Sequence, residues 1–479
     1  MDSNSRLLEA IQVFLLVTGY MLVGGCAAFI LHVGLAQWLF FSVHLFAGVI
    51  LLEVTMTMAG KLSLVRAPSL VFMLMTSLYY VVSSVKYFAG LEVYRQFAIS
   101  DQDRFLGSVA VFGVSLLCLV VIRLLAKRLR PILDQRYLAG MVERLPRAFQ
   151  LILIVDVVTK LFLVYTGYGP TYIPGRYSIV AVRMYWDLLL LTTSSIMSDL
   201  VQILGAALIA TSKRAHRPGM LLPIAGLGLE LAWALFMRSR SLILFPLVAV
   251  GVCLFLLRPL RIARVYLRWL VFAVFVVGTL GSTAVLTLLG RAYVEGGNAL
   301  YASVAEMGYR LDLSDFAVAY MTHNQGMSPH LGIVEEAIMN IIPRGLWPTK
   351  TLFGQYAGLF AGMGWPSIDY TDTLFSSGAL VGGWLGFILV PLAFLALVEV
   401  GYRLVLQYVR RLGADLVPVI SYLYLLVNMF RVELGWFELF LYLRSSLIGL
   451  TIIFVIGMVA RLRLKRGGYE SVGTEVTSN

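Results

Sequence analysis

Phe105-Leu-Gly-Ser-Val-Ala-Val-Phe-Gly-Val-Ser-Leu-Leu-Cys-Leu-Val-Val-Ile-Arg123 decides the fold class. No charge appears from Phe105 to Ile122, and then Arg123, Lys127, Arg128 and Arg130 follow. A run of about 20 uncharged residues is what a helix needs to cross the hydrocarbon of a bilayer. The basic cluster behind it marks a cytoplasmic end, because cytoplasmic connections collect Lys and Arg. The run shows none of the alternation that an outer-membrane barrel strand requires.

The rest of the chain repeats this pattern. Of 479 residues 59% are apolar and 13% charged, against about 45–50% and about 25% in soluble domains. That balance excludes a soluble enzyme, a disordered tail protein and a disulfide scaffold. Twelve apolar runs are long enough to be spans: 9–30, 36–58, 68–89, 105–123, 149–167, 186–211, 219–237, 241–257, 267–289, 377–400, 416–431 and 444–460. The first is too long for a signal-peptide core and reads as a retained span. With the N-terminus inside, the even-numbered connections and both ends hold most of the 38 basic residues. The reading is therefore an all-α, polytopic helical membrane protein of about 12 transmembrane helices, N-in/C-in. The formal charge of +12 follows from loop placement and does not point to nucleic acid. Cys26, Cys118 and Cys253 all lie in apolar runs without metal-ligand spacing, so they read as small buried residues.

The chain then divides into helices one to nine over 1–289, an outer connection over 290–375, helices ten to twelve over 376–466, and a cytoplasmic tail over 467–479. The outer connection is far longer than the others and net acidic, and an ordered loop of that length is usually functional. Within it Leu331-Gly-Ile-Val-Glu-Glu-Ala-Ile-Met-Asn-Ile-Ile342 has apolar residues at 331, 334, 338, 341 and 342. That spacing predicts an amphipathic helix lying on the membrane or on the outer face of the bundle.

Basic residues on the outer side are disfavoured and need a reason. Arg238 and Arg240 lie in the turn Met-Arg-Ser-Arg-Ser, Arg176 and Arg183 in the connection after span five, Arg344 and Lys350 in the long loop, and Arg431 and Arg444 around the last outer turn. A guanidinium grips phosphate through two parallel hydrogen bonds and stays charged at every relevant pH. Convergent arginines at the outer face would suit a lipid pyrophosphate, whereas isolated ones would reach lipid headgroups. Candidate bases in the loop are Asp312, Asp315, His323, His330, Glu335, Glu336, Asp369 and Asp372, with histidine suited by its ordinary pKa. Trp347, Trp365, Tyr356 and Tyr370 offer flat faces to sugar rings or to the membrane interface. Charges inside spans are Glu53, Lys86, Asp156, Lys160, Asp199 and Glu230. Asp156 and Lys160 share a helix face at i,i+4, either as a structural ion pair or as a proton or ion relay of a transporter. His44 reads as a satisfied core histidine. Neither a phosphate-binding glycine loop nor a His-Glu-x-x-His or Gly-x-Ser-x-Gly motif occurs, and no metal or cofactor is expected.

Three stretches resemble the O-antigen and exopolysaccharide polymerases of the Wzy type. Phe236-Met-Arg-Ser-Arg-Ser-Leu-Ile-Leu-Phe245 is similar to the family's Ser-Arg element opening a span. Ile341-Ile-Pro-Arg-Gly-Leu-Trp-Pro-Thr-Lys350 is similar to its Pro-Arg-x-x-Trp-Pro-x-Lys element. Thr373-Leu-Phe-Ser-Ser-Gly-Ala-Leu-Val-Gly-Gly-Trp-Leu-Gly386 is similar to the closing loop, with Ser376 and Ser377 where the family usually has Glu. The resemblance implies transfer of a glycan from undecaprenyl pyrophosphate to a second lipid-linked repeat unit at the outer face of the bacterial inner membrane. It implies Arg238, Arg240 and Arg344 on the pyrophosphate, with Lys350, Arg176, Arg431 and Trp347 in the substrate site. His323, Asp369 or Asp372 would be the base, and Arg344 also a catalytic group. The partners implied are the lipid-linked oligosaccharide, membrane lipids and a polysaccharide chain-length regulator. A glycan ligase would use the same chemistry. A flippase or other transporter would account for the in-span charges, and a structural or sensor protein would need none of it.

Overall fold

The computed structural model describes residue 18 and residues 34–62, 67–87, 99–128, 146–166, 170–173, 176–179, 185–211, 220–237, 249, 313–314, 317–318, 320–321, 331–339, 341–342, 373–411, 420–421, 424–425, 439–440, 443–455 and 458. The described residues are overwhelmingly helical. Five helices are long and apolar enough to cross a membrane: Leu35–Ala59, Asp101–Lys127, Ala148–Tyr165, Thr193–Ala210 and Leu374–Leu404. Three shorter apolar helices, Leu70–Ser83, Leu221–Phe236 and Leu443–Val455, lie where further spans were expected. The expected runs 9–30, 241–257, 267–289 and 416–431 lie wholly or almost wholly outside the described residues. The chain forms two compact units. One comprises Met1–Pro131, Leu260–Tyr402 and Met429–Leu441, and the other holds the remainder.

In the first unit α1 (Leu35–Leu62), α2 (Leu70–Ser83), the 3-10 turn Ser84–Tyr87 and α3 (Asp101–Arg128) pack together. The α1 surface is arranged oppositely to that of a soluble helix. Leu39, Val43, Phe46, Ile50 and Val54 recur at helical spacing on the outside, while Ser42, His44 and Thr55 are buried. Such a helix faces lipid outward and hydrogen-bonds inward. Phe41, Leu45, Val49 and Leu52 meet Val81 and Tyr87 in the core. Gly48 sits where α1 crosses α2, and a Cβ there would come within 2.8 Å of the Val81 side chain. The His44 Nε2 lies 2.7 Å from the Tyr80 carbonyl oxygen and 3.2 Å from the Ser83 hydroxyl, with its ring stacked on Tyr80. His44 is therefore hydrogen-bonded inside the core, as its sequence context implied. The start of α3 is fixed by Ser100, whose hydroxyl accepts the Asp103 N–H at 3.0 Å and donates to the Asp103 carboxylate at 2.7 Å. This N-terminal cap is why the helix starts four residues before the expected run at 105.

In the second unit α4 (Pro146–Tyr165) and α6 (Leu221–Phe236) pack against α5 (Tyr185–Thr211). Leu200, Val201, Ile203, Leu204, Ala206, Ala207 and Ala210 of α5 are all fully buried. Gly205 and Gly226 bring the helices close, and a Cβ on Gly226 would lie 2.9 Å from the Phe149 ring. Between α4 and α5 an antiparallel hairpin pairs β1 (Pro170–Ile173) with β2 (Arg176–Ile179). It lies in the connection after span five, where the all-α reading placed no strand. Thr171, Tyr172, Ile173, Tyr177 and Ile179 are β-branched or aromatic and favour strands.

Farther along are α7 (Leu331–Met339) and α8 (Leu374–Arg411). The tenth expected span, 377–400, is not one uninterrupted helix. Gly382 and Gly383 leave helical geometry, Gly383 at φ 56° and ψ −139°. That conformation is strained for any residue with a Cβ. Thr373 to Leu380, before the break, are all buried, whereas Trp384, Leu385, Leu389, Leu397, Val400 and Leu404 after it are exposed. The Gly378 and Gly386 backbones touch, and a Cβ on either would strike the other's carbonyl. The span proper thus starts after Gly383, and 374–381 is a separate buried segment.

Candidate functional site

The expected site falls largely outside the described residues. Arg238, Arg240, His323, Arg344, Trp347, Lys350, Asp369, Asp372 and Arg431 all lie outside them. Arg176 is placed through its backbone alone, opposite Ile173 at the end of the hairpin. Of the loop acids, Glu335 and Glu336 are described. Glu335 is exposed and Glu336 is buried with Ile333 and Ala337.

The segments flanking the expected site are nonetheless informative. Helix α7 directs Leu331 and Ile338 outward, at 62% and 47% exposure. With Val334, Glu335, Met339 and Ile342 they line a shallow apolar groove. The next residues along the chain are Pro343 and Arg344. The closing element opens with a reciprocal cap. The Thr373 N–H donates to the Ser376 hydroxyl at 2.7 Å, and the Ser376 N–H donates to the Thr373 hydroxyl at 3.3 Å. Ser376 and Ser377 are both buried, and Ser376 caps the helix start. Tyr320, in the 290–375 connection, donates to the Leu380 carbonyl at 3.4 Å. Burial pushes its phenol above its ordinary pKa.

A second constellation is fully described and sits in the second unit. Ile152, Asp156, Thr159, Lys160 and Leu163 form the buried stripe of α4, while Ile154, Val158, Leu161 and Phe162 form its exposed one. Lys160 Nζ donates to Asp156 Oδ2 at 2.7 Å and to Glu230 Oε1 of α6 at 2.5 Å. Gln202 Nε2 of α5 donates weakly to Glu230 Oε2 at 3.4 Å. The ammonium also lies 5.6 Å from the Trp233 ring centroid, within the range of a cation–π contact. Asp156 is 0%, Glu230 1% and Lys160 4% exposed. The i,i+4 pair expected from sequence thus supplies two members of a three-charge group. Glu230 was visible as a lone in-span charge, but its partnership spans 70 residues. Gln202 is neutral and gave no signal.

Another buried acid, Glu399 of α8, escaped the inventory of in-span charges because it falls at the end of the expected run. It accepts hydrogen bonds from the Ser69 N–H at 3.0 Å and from the Ser69 hydroxyl, and so holds the first turn of α2. Among the described residues no group of three or more His, Cys, Asp or Glu is placed to hold a metal ion. No protein-family model, curated protein or solved structure matches the chain.

Proposed function

We propose that the chain is a glycosyltransferase of the bacterial inner membrane that polymerises lipid-linked repeat units at the outer face. In this reading it has about twelve spans with both ends inside, and the loop 290–375 covers the site. The observation that carries it is the Pro343-Arg-Gly-Leu-Trp-Pro-Thr-Lys350 element, set directly after an amphipathic helix. The outward apolar groove of α7 would take the polyprenyl tail, and the element would meet the pyrophosphate beside it.

The reaction needs two things. The acceptor hydroxyl attacks the anomeric carbon of the donor, the bond from that carbon to the pyrophosphate oxygen breaks, and lipid pyrophosphate leaves. Arg238, Arg240 and Arg344, with Lys350, supply fixed positive charge for the negative charge that develops on the leaving group. His323, Asp369 or Asp372 accepts the hydroxyl proton. Arg176, Arg431 and Trp347 line the glycan path.

The test is a deletion of the gene followed by gel analysis of surface and lipid-linked glycans. Loss of the long ladder with a single exported repeat unit supports the polymerase, and Arg344→Ala then gives the same pattern. An unchanged ladder refutes it, and polymer retained on the carrier lipid makes the chain a ligase. The buried Asp156–Lys160–Glu230 group favours a second reading, a flippase of the repeat unit. Repeat units trapped on the cytoplasmic side of the membrane would identify that activity.

A further inference from the structure

We propose that Asp156, Lys160, Glu230 and Gln202 form a buried binding site for one exchangeable proton. This goes beyond the polymerase reading and does not depend on it.

Charge comes first. Two carboxylates share one ammonium, so the fully ionised group carries −1 in a part of the protein that excludes water. An uncompensated charge in such a place is costly, and one further positive charge removes it. Hydrogen bonding gives an independent second observation. Asp156 Oδ1 and Gln202 Oε1 are fully buried and have no hydrogen-bond partner among the described residues. Both are acceptors, and the group lacks a donor. A proton on a carboxyl oxygen neutralises the charge and supplies the missing donor in one step.

A metal cation fits the same place poorly. Lys160 Nζ already bridges the two carboxylates at 2.7 and 2.5 Å. A metal ion bound to those oxygens would sit against the ammonium and be repelled at close range. A proton needs no space of its own.

The neighbouring charges leave this balance intact. Glu230 faces the group from α6 and Gln202 from α5. Asp199, also buried on α5, makes interactions of its own. On α4 the Thr159 hydroxyl donates to the Val155 carbonyl at 2.7 Å. The Trp233 ring covers the ammonium. When the proton leaves, the group regains its net charge, and a state in which water reaches the α4–α6 contact becomes favoured. Proton occupancy is thereby tied to closure of that contact.

The experiment uses the purified full chain in lipid nanodiscs, with 13C-labelled aspartate in one sample and 13C-labelled glutamate in another. Infrared difference spectra across a pH series follow protonated carboxyl stretches. The expected result is one protonated-carboxyl band per chain that titrates in the wild type and is absent from both Asp156→Asn and Glu230→Gln. Each substitution mimics the neutral state, so both variants remain folded. Absence of the band in the wild type overturns the proposal. So does a band unchanged in both variants, and so does stabilisation of the wild type by sodium over choline at fixed pH. The last result would assign the site to a metal cation.

Discussion

Replacing Lys160 by Met isolates the energetics of the buried group. Methionine keeps the length and most of the packing of the lysine stem, so the loss is electrostatic. Two contacts disappear, at 2.7 Å to Asp156 and 2.5 Å to Glu230, and two carboxylates remain in a site at most 4% exposed. Removing one partner from a buried ion pair costs about 3–5 kcal/mol. Loss of the contact with Trp233 adds about 1 kcal/mol. The sum, about 4–6 kcal/mol, is a large share of the 5–15 kcal/mol that typically separates folded from unfolded protein. At roughly 2–4 °C per kcal/mol for a unit of this size, melting should fall by about 8–24 °C. The assay is thermal unfolding of the detergent-solubilised full chain, read by loss of the monodisperse chromatographic peak. Combining Lys160→Met with Asp156→Asn leaves one carboxylate and should recover part of the loss. A Lys160→Met variant melting within about 2 °C of wild type would refute the reasoning, because the lysine would then not be compensating buried charge.

Other predictions concern separate parts of the molecule. Gly226→Leu drives its side chain into Phe149 and should cost at least about 1–3 kcal/mol, an effect that Phe149→Ala in the same chain partly relieves. Double-mutant thermal melts measure the coupling. Glu399→Ala removes the acceptor for two Ser69 donors and leaves a buried N–H unpaired, so a loss of about 2–3 kcal/mol is expected. Ser69→Ala should cost less, since it removes the hydroxyl along with the need for a partner. Tyr320 has its phenol raised by burial. The folded state then holds that proton more tightly than the unfolded chain, so its contribution is complete below pH ~10 and is lost as pH rises through the folded value. Tyr320→Phe should flatten this component in alkaline melts, and an identical alkaline loss in both proteins would contradict the assignment.

Hydropathy made most of the described helices legible. The runs 36–58, 105–123, 149–167 and 186–211 correspond to helices over Leu35–Leu62, Asp101–Arg128, Pro146–Tyr165 and Tyr185–Thr211. Length and apolarity are local properties, so a single window detects them. Their ends were less legible, because polar caps such as Ser100–Asp103 lie outside the apolar window yet belong to the helix. The break at Gly382–Gly383 was hidden for the opposite reason. Glycine barely changes mean hydropathy, and only the backbone angles reveal that the run is two segments. For the buried charge group, the sequence showed an i,i+4 pair because α-helical geometry is periodic. It could not show that Glu230 and Gln202 complete the group, since that depends on how α4, α5 and α6 pack. In the 290–375 connection the periodicity of 331–342 marked a helix, realised over Leu331–Met339. The side that it buries, with Ile333, Glu336 and Ala337, was not readable, because an apolar stripe can face lipid as well as protein.

The buried stripe of α4 has a consequence for biogenesis. Asp and Lys near the middle of a span each oppose insertion by about 2.5–3.5 kcal/mol on the translocon scale. Helix α4 carries both, and their relief comes partly from Glu230, 70 residues farther along. At about 5–20 residues per second of synthesis, the translocon holds α4 for several seconds before its partner emerges. This helix should therefore settle late, as part of a hairpin-like group with α5 and α6. A nascent chain halted before Glu230 should leave α4 more easily extracted from the bilayer than in the finished protein.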